Sequence, residues 1–373
     1  MTSVRDARPA PAAASRTGGW LEGDPVGDRR FLDLGPLQLE RGGTLPGVRV
    51  AYETWGTLAP DAGNAVLVEH ALTGDSHVVG AAGPGHATAG WWPSLVGPGA
   101  PLDTDELFVV CANVLGGCQG TTGPSSAAPD GAPWGSRFPA VTVGDQVAVE
   151  AAVADALGIG RWRAVLGGSM GGMRALEWAV SRPERVAGLF FLASGAVASA
   201  DQIGTQTTQQ AAVRSDPAWA GGDYAPGPGP VSGLGIARRI AHLTYRSDLE
   251  LGARFGNHVQ DDGRFAVASY LEHHATKLAA RFDAGSYVVL TEAMNGWDVG
   301  RGRGGVPAAL SRVSARAVVA GVDTDRLYPL AQQQQVADAL GVPLRVVPSP
   351  YGHDGFLLET EAVGVLVREL LAS

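Results

Sequence analysis

Residues 162–180 read Trp-Arg-Ala-Val-Leu-Gly-Gly-Ser-Met-Gly-Gly-Met-Arg-Ala-Leu-Glu-Trp-Ala-Val, and few folds can hold such a stretch. Ala164, Val165 and Leu166 form a short apolar run of the kind a buried strand shows. Gly167-Gly168-Ser169-Met170-Gly171 then matches G-x-S-x-G, and a helical pattern over 173–180 follows at once. Strand, glycine turn and helix together predict a nucleophile elbow. A serine on so sharp a turn tolerates only small neighbours, because larger side chains would strike the strand or the helix. Its hydroxyl then stands at the carboxyl end of the sheet, above a helix N-terminus that favours developing negative charge. The competing reading is a βα turn whose serine merely caps the helix. With 53 glycines in the chain the motif alone decides little. The strand before it and the helix after it favour the catalytic reading.

Around the elbow, the sequence predicts strands at 31–39, 48–55, 64–70 and 107–112 before it and at 186–193, 315–320 and 344–348 after it. The run at 186–193 is apolar throughout, as in parallel sheets covered on both faces. An amphipathic helix over 143–157 leads into the elbow strand, and helices over 330–340 and 355–371 come late. Strands alternating with helices mean a doubly wound, mostly parallel α/β sheet. From 199 to 307 the pattern changes to helices at 202–214, 233–246, 264–280 and 284–293, separated by breaks such as the Pro- and Gly-rich 221–230. The expected organisation is therefore a disordered tail over 1–19, a core domain over 20–198 and 308–373, and an inserted helical lid over 199–307. A net charge of −9 without any basic cluster argues against a nucleic-acid partner. No apolar run reaches the roughly 18 residues of a membrane span, and the N-terminus lacks the apolar core of a signal peptide. Cys111 and Cys118 fit neither a disulfide framework nor a zinc pattern. These features predict a cytoplasmic protein without a metal.

A serine hydroxyl is a weak nucleophile until a base takes its proton, and that base needs an orienting carboxylate. In an α/β-hydrolase fold the acid and then the histidine follow the serine, each just after a late strand. The strand at 315–320 runs on into Asp323-Thr324-Asp325, and the next ends in Pro350-Tyr-Gly-His353, whose histidine is the only one beyond the helical block. Ser169, Asp325 and His353 are the expected triad, with Asp323 the competitor for the acid. The loop at Ala71-Leu72-Thr73 follows an early strand, where such folds keep half of the oxyanion hole. The backbone N–H groups of Leu72 and Met170 are the natural donors. The remaining histidines are expected to be satisfied or solvated. The long glycine- and threonine-rich loop over 113–126 lacks a P-loop ending, yet loops of this length tend to be functional.

Leu72-Thr-Gly-Asp-Ser-His77, Gly90-Trp-Trp92, the 113–126 loop, Gly168-Ser-Met-Gly-Gly-Met173, Asp325-Arg-Leu-Tyr-Pro329 and Tyr351-Gly-His-Asp354 occur together in one family. From about Gly35 onward the chain resembles the homoserine O-acetyltransferases of methionine biosynthesis. The resemblance implies a serine that takes the acetyl group of acetyl-CoA and passes it to L-homoserine by a ping-pong route, no bound cofactor, and a homodimer joined through the lids. It also implies Asp325 as the acid, Arg238 at the homoserine carboxylate and Asp354 at its ammonium, with Thr73 and Tyr245 as further substrate contacts. Arg239 is the rival for the carboxylate. A zwitterion calls for a planar cationic fork and an anion, so these roles make chemical sense. The family usually carries aspartate where Asn295 stands. A succinyl donor, a serine acceptor and plain ester or thioester hydrolysis share the same acyl-serine and stand as alternatives. Arg238 and Asp354 favour transfer, since an esterase has no need of a zwitterion site.

Overall fold

The apolar runs become eight strands of one sheet in a computed structural model that describes residues 18–225 and 227–372. In chain order they are β1 (Arg30–Leu34), β2 (Val48–Trp55), β3 (Ala65–Glu69), β4 (Phe108–Ala112), β5 (Ala164–Gly168), β6 (Gly188–Leu192), β7 (Arg316–Val322) and β8 (Leu344–Val347). Their spatial order is β1-β2-β4-β3-β5-β6-β7-β8. Only the β1–β2 and β2–β4 pairs are antiparallel. The other five pairs are parallel, so β2 alone runs against the rest and β3 to β8 deliver their carboxyl ends to one edge. Every residue of β3, β4, β5 and β6 is buried, as a sheet covered on both faces requires. Successive side chains feed opposite cores: Leu67, Val165 and Phe191 pack on one side, and Val66, Leu166 and Phe190 on the other.

Helix α1 (Val143–Ala156) starts in a capping box, Thr142 accepting from the Asp145 N–H and Asp145 reaching back to the Thr142 N–H. Helix α2 (Met170–Ser181) leaves the elbow. Between β6 and β7 lie α3 (Ala200–Ser215), α4 (Val231–Tyr245), α5 (Asp248–Phe255), α6 (Ala266–Ala279), α7 (Ala284–Asn295) and the short α8 (Val306–Leu310). Helix α9 (Leu330–Leu340) joins β7 to β8, and α10 (Gly355–Leu358) and α11 (Thr360–Leu371) close the chain.

Four details differ from expectation. The strand predicted over 31–39 stops at Leu34, because Gly35-Pro36 interrupts the ladder and proline has no N–H to donate. Leu37–Gln38 pairs instead with Thr44–Leu45. The last helix breaks at Glu359, whose ψ of 54° is not helical. Helix α5 has no counterpart in the sequence reading; Ser247 caps it by accepting from the Glu250 N–H. Of the predicted tail, residues 1–17 lie outside the described residues. Gly18 and Gly19 correct its boundary, for Gly19 is buried against Cys118 and the Trp20 N–H donates to the Cys118 carbonyl at 2.8 Å.

Beneath the elbow, the fully buried Arg174 of α2 lies 2.7 Å from Glu69 Oε2 and 2.6 Å from Glu150 Oε1, and also donates to the His70 carbonyl. It thereby ties the end of β3 to α1 and α2. Burial pushes the Glu69 carboxyl well above its ordinary range, which eases the charge imbalance of two carboxyls against one guanidinium. Arg174→Met would leave both carboxyls without their cation. Denaturant unfolding is expected to show a loss of about 3–5 kcal/mol, and an unchanged midpoint would contradict the account.

Candidate active site

Ser169 occupies the turn between β5 and α2 with φ 58° and ψ −125°, a conformation costly for any residue with a side chain. Its side chain makes no cap to α2, so the capping reading does not describe this turn. The glycines around it are sterically required. A Cβ on Gly167 would lie 2.1 Å from the Gly171 carbonyl oxygen, and one on Gly171 2.1 Å from that of Glu69. The turn is held by the Ser169 N–H donating to Leu192 at 3.1 Å and by the Ser194 hydroxyl donating to the Ser169 carbonyl at 2.8 Å.

Asp325 follows β7 and His353 follows β8, both buried. His353 Nδ1 lies 2.6 Å from Asp325 Oδ2. The other carboxylate oxygen, Oδ1, accepts the N–H groups of Leu327 at 2.8 Å and Tyr328 at 2.9 Å, which fixes its orientation. Asp323 is engaged elsewhere, accepting the Ser349 N–H at 2.9 Å. Three side chains join His353 to the serine. Tyr328 has its ring 5.2 Å from the imidazole and its buried hydroxyl beside Ser169, short of a well-formed hydrogen bond. Phe356 lies 5.2 Å from the imidazole and against Gly168, and the Tyr245 ring is 5.9 Å from it. Among the described residues, neither the Leu72 nor the Met170 backbone N–H meets an acceptor. Both residues are buried, and Leu72 shares a cavity wall with Ser169.

That cavity is small, about 20 Å³, and is closed by Thr205, Gln206 and Gln209 of α3, Thr244 and Tyr245 of α4, Met294 of α7, and Leu327. Next to it opens a cavity of about 510 Å³ whose wall contains both Arg238 and Asp354. Arg238 carries its guanidinium 5.2 Å over the Tyr245 ring, and its buried Nε and Nη1 have no hydrogen-bond partner. Arg239 points away and pairs with Glu272 at 3.1 Å on the surface. Asp354 makes no cap to α10; its carboxylate lies 3.2 Å from Arg246 Nη1. Burial pushes the Asp354 carboxyl up, opposed by His353, Arg238 and Arg246. Thr73 lines neither cavity and offers its carbonyl to Arg281 at 2.9 Å.

Sequence reasoning misses Arg246, which bridges Asp354 to Glu250 of the unforeseen α5. Its only signal is its place after Tyr245. His242 and His274 stack at 4.0 Å in the outer wall. Burial and then Arg238 push them down, to about 2 and about 4, so both are neutral near pH 7. Asp28, Glu53, His77 and His86 are grouped closely enough to hold a metal ion. Three of the four already have partners: His77 sets its two ring nitrogens on Glu53 and the Ala81 carbonyl, and His86 Nε2 accepts the Asp28 N–H.

The sheet order, the elbow and the acid–histidine pair define the class, and the alpha/beta hydrolase fold family model matches residues 64–360. The chain is 64% identical to a homoserine O-acetyltransferase of Thermobifida fusca, over 98% of both chains. Among solved structures, homoserine O-acetyltransferase from Bacillus anthracis superimposes with a TM-score of 0.85 at 25% identity, covering 92% of this chain and 97% of that one. Esterase E22 matches with the same TM-score, identity and coverage of this chain, and 99% of its own. The protein belongs to the homoserine O-acetyltransferase family within the alpha/beta hydrolases.

Proposed function

We propose that this protein transfers the acetyl group of acetyl-CoA to the hydroxyl of L-homoserine, and that Ser169, His353 and Asp325 carry the chemistry. Ser169 Oγ attacks the thioester carbonyl while His353 takes its proton, and Asp325 holds the imidazole in the tautomer that can do so. The Leu72 and Met170 N–H groups stabilise the oxyanion. CoA leaves with the proton from His353, and the acetyl group stays on Ser169. The homoserine hydroxyl then loses its proton to His353 and attacks the acyl-serine, and His353 returns that proton to the departing Ser169 Oγ, giving O-acetylhomoserine and the free serine. Arg246, Arg254, Lys277 and Arg281 line the outer cavity with Asp354 as the only carboxylate among the described lining residues, a balance that suits the phosphates of CoA. The α3–α7 block acts as a lid over Ser169, and the narrow inner cavity limits access of water to the acyl-enzyme. Exposed Ile236, Leu249 and Phe265 on this block support a homodimer formed through it. A biosynthetic role of this kind fits the cytoplasm, and no helix among the described residues is long and apolar enough to cross a membrane.

The observation that carries the transferase reading over hydrolysis is Arg238, whose Nε and Nη1 have no hydrogen-bond partner, in the wall of the same cavity as Asp354. Arg238→Met is expected to raise KM for homoserine by about 10²-fold through loss of charge-assisted hydrogen bonds, with acyl-enzyme formation far less affected. Steady-state kinetics with homoserine varied, set beside CoA release in its absence, separates the two half-reactions. An unchanged homoserine KM would remove Arg238 from the acceptor site.

A further inference from the structure

His70 stands at the end of β3, only 2% exposed, and has no part in the acid–base pair. Its Nε2 lies 3.1 Å from the Val114 N–H, a group that can only donate, so Nε2 is the acceptor and the ring proton resides on Nδ1. Nδ1 is 2.8 Å from the Ala71 carbonyl oxygen and therefore donates to it. Burial, with Arg174 nearby, pushes the imidazole down to about 3, so the ring is neutral near pH 7. The Ala71 carbonyl belongs to the same planar trans peptide as the Leu72 N–H. In such a peptide the two groups point in opposite directions, so fixing one aims the other. The Gly74 N–H reaches the same oxygen at 2.9 Å. Two donors on one carbonyl polarise its peptide and strengthen the N–H on the far side.

We propose that His70 is a positioning residue for the oxyanion, aiming and polarising the Leu72 N–H by holding the carbonyl of the same peptide. The proposal rests on the reading of the Leu72 N–H as an oxyanion donor. It also gives the 113–126 loop a task. Thr121 and Thr122 accept the Ala51 and Arg49 N–H groups of β2, which anchors the loop and sets Val114 against the ring. A donor aimed at the oxyanion acts on the transition state more than on bound substrate, so its loss is read in kcat rather than KM.

The test uses the full-length enzyme and two isosteres. His70→Gln places an amide near Nε2 and can satisfy Val114, but leaves the Ala71 carbonyl with the Gly74 N–H alone, without its side-chain donor. His70→Asn places an amide nitrogen near Nδ1 and keeps that donor. The expected result is a fall in kcat of about 10–100-fold for His70→Gln, below the 10²–10³ of losing an oxyanion donor outright. KM for acetyl-CoA and homoserine should stay within about twofold, and His70→Asn should recover most of kcat. Equal losses in the two variants, wild-type kcat in His70→Gln, or a change confined to KM would each overturn the proposal. Replacing the amide between Ala71 and Leu72 by an ester, through a hydroxy acid at position 72, removes the N–H with every side chain in place. Full activity in the ester variant would remove the Leu72 donor and His70's role with it. Loss in the ester variant beside an unaffected His70→Gln would overturn His70 alone.

Discussion

Ser169→Ala is expected to lower kcat by about 10⁶-fold and to end acyl-enzyme formation. The size follows from the way the residues act as a unit. Without the hydroxyl, His353 and Asp325 have no nucleophile to activate, and only binding and the oxyanion donors remain. Structure should be little disturbed. The Ser169 side chain makes no cap, and the tie from Ser194 ends on the backbone carbonyl. Alanine must still adopt φ 58°, as serine does. Loss of turnover with an unchanged melting temperature is thus the signature. Retained turnover would remove Ser169 from the mechanism, whatever the elbow looks like.

The second large effect is expected at Asp325→Asn, about 10⁴-fold in kcat at neutral pH. Oδ1 accepts two backbone N–H groups, from Leu327 and Tyr328, and that place demands an oxygen. The introduced amide is thereby held with its nitrogen towards His353 Nδ1, which becomes an acceptor. The ring proton moves to Nε2, the atom that must receive the serine proton. Packing is preserved and the base is disabled. Asp323→Asn changes a group that faces Ser349, so its effect on kcat is expected to be far smaller. Kinetics of the pair decide the acid, and a larger loss at position 323 would reverse the assignment.

These residues were not equally legible in the sequence. The elbow can be read because its steric demands fall within a dozen adjacent residues, and the same is true of the apolar runs that became β3 to β7. The choice between Asp323 and Asp325 is not legible in that way, because both follow one strand and only the hydrogen bonds of the turn separate them. Arg238 and Arg239 were in principle separable. Leu234, Ala237 and Ala241 mark the buried face of α4, and Arg238 lies one turn beyond Leu234 at its edge, with Arg239 rotated away. Helix α5 escapes because it is short and largely exposed, and only the Ser247 cap marks its start. With it went the Arg246–Glu250 pair that braces Asp354. The role of His70 is harder still to see, for it depends on Val114 and Ala71 meeting one ring from different segments.

The central claim is an acyl-serine that homoserine, and not water, discharges. The most direct test mixes the enzyme with acetyl-CoA alone, follows CoA release, and then locates any acetyl group by mass spectrometry of the digested protein. The account predicts a stoichiometric burst of CoA, an acetyl group on the peptide that contains Ser169, and its rapid transfer to O-acetylhomoserine once homoserine is added. CoA release only when both substrates are present, with no acetylated Ser169, would contradict the ping-pong route; an acetyl-enzyme that water clears as fast as homoserine does would make the protein a hydrolase.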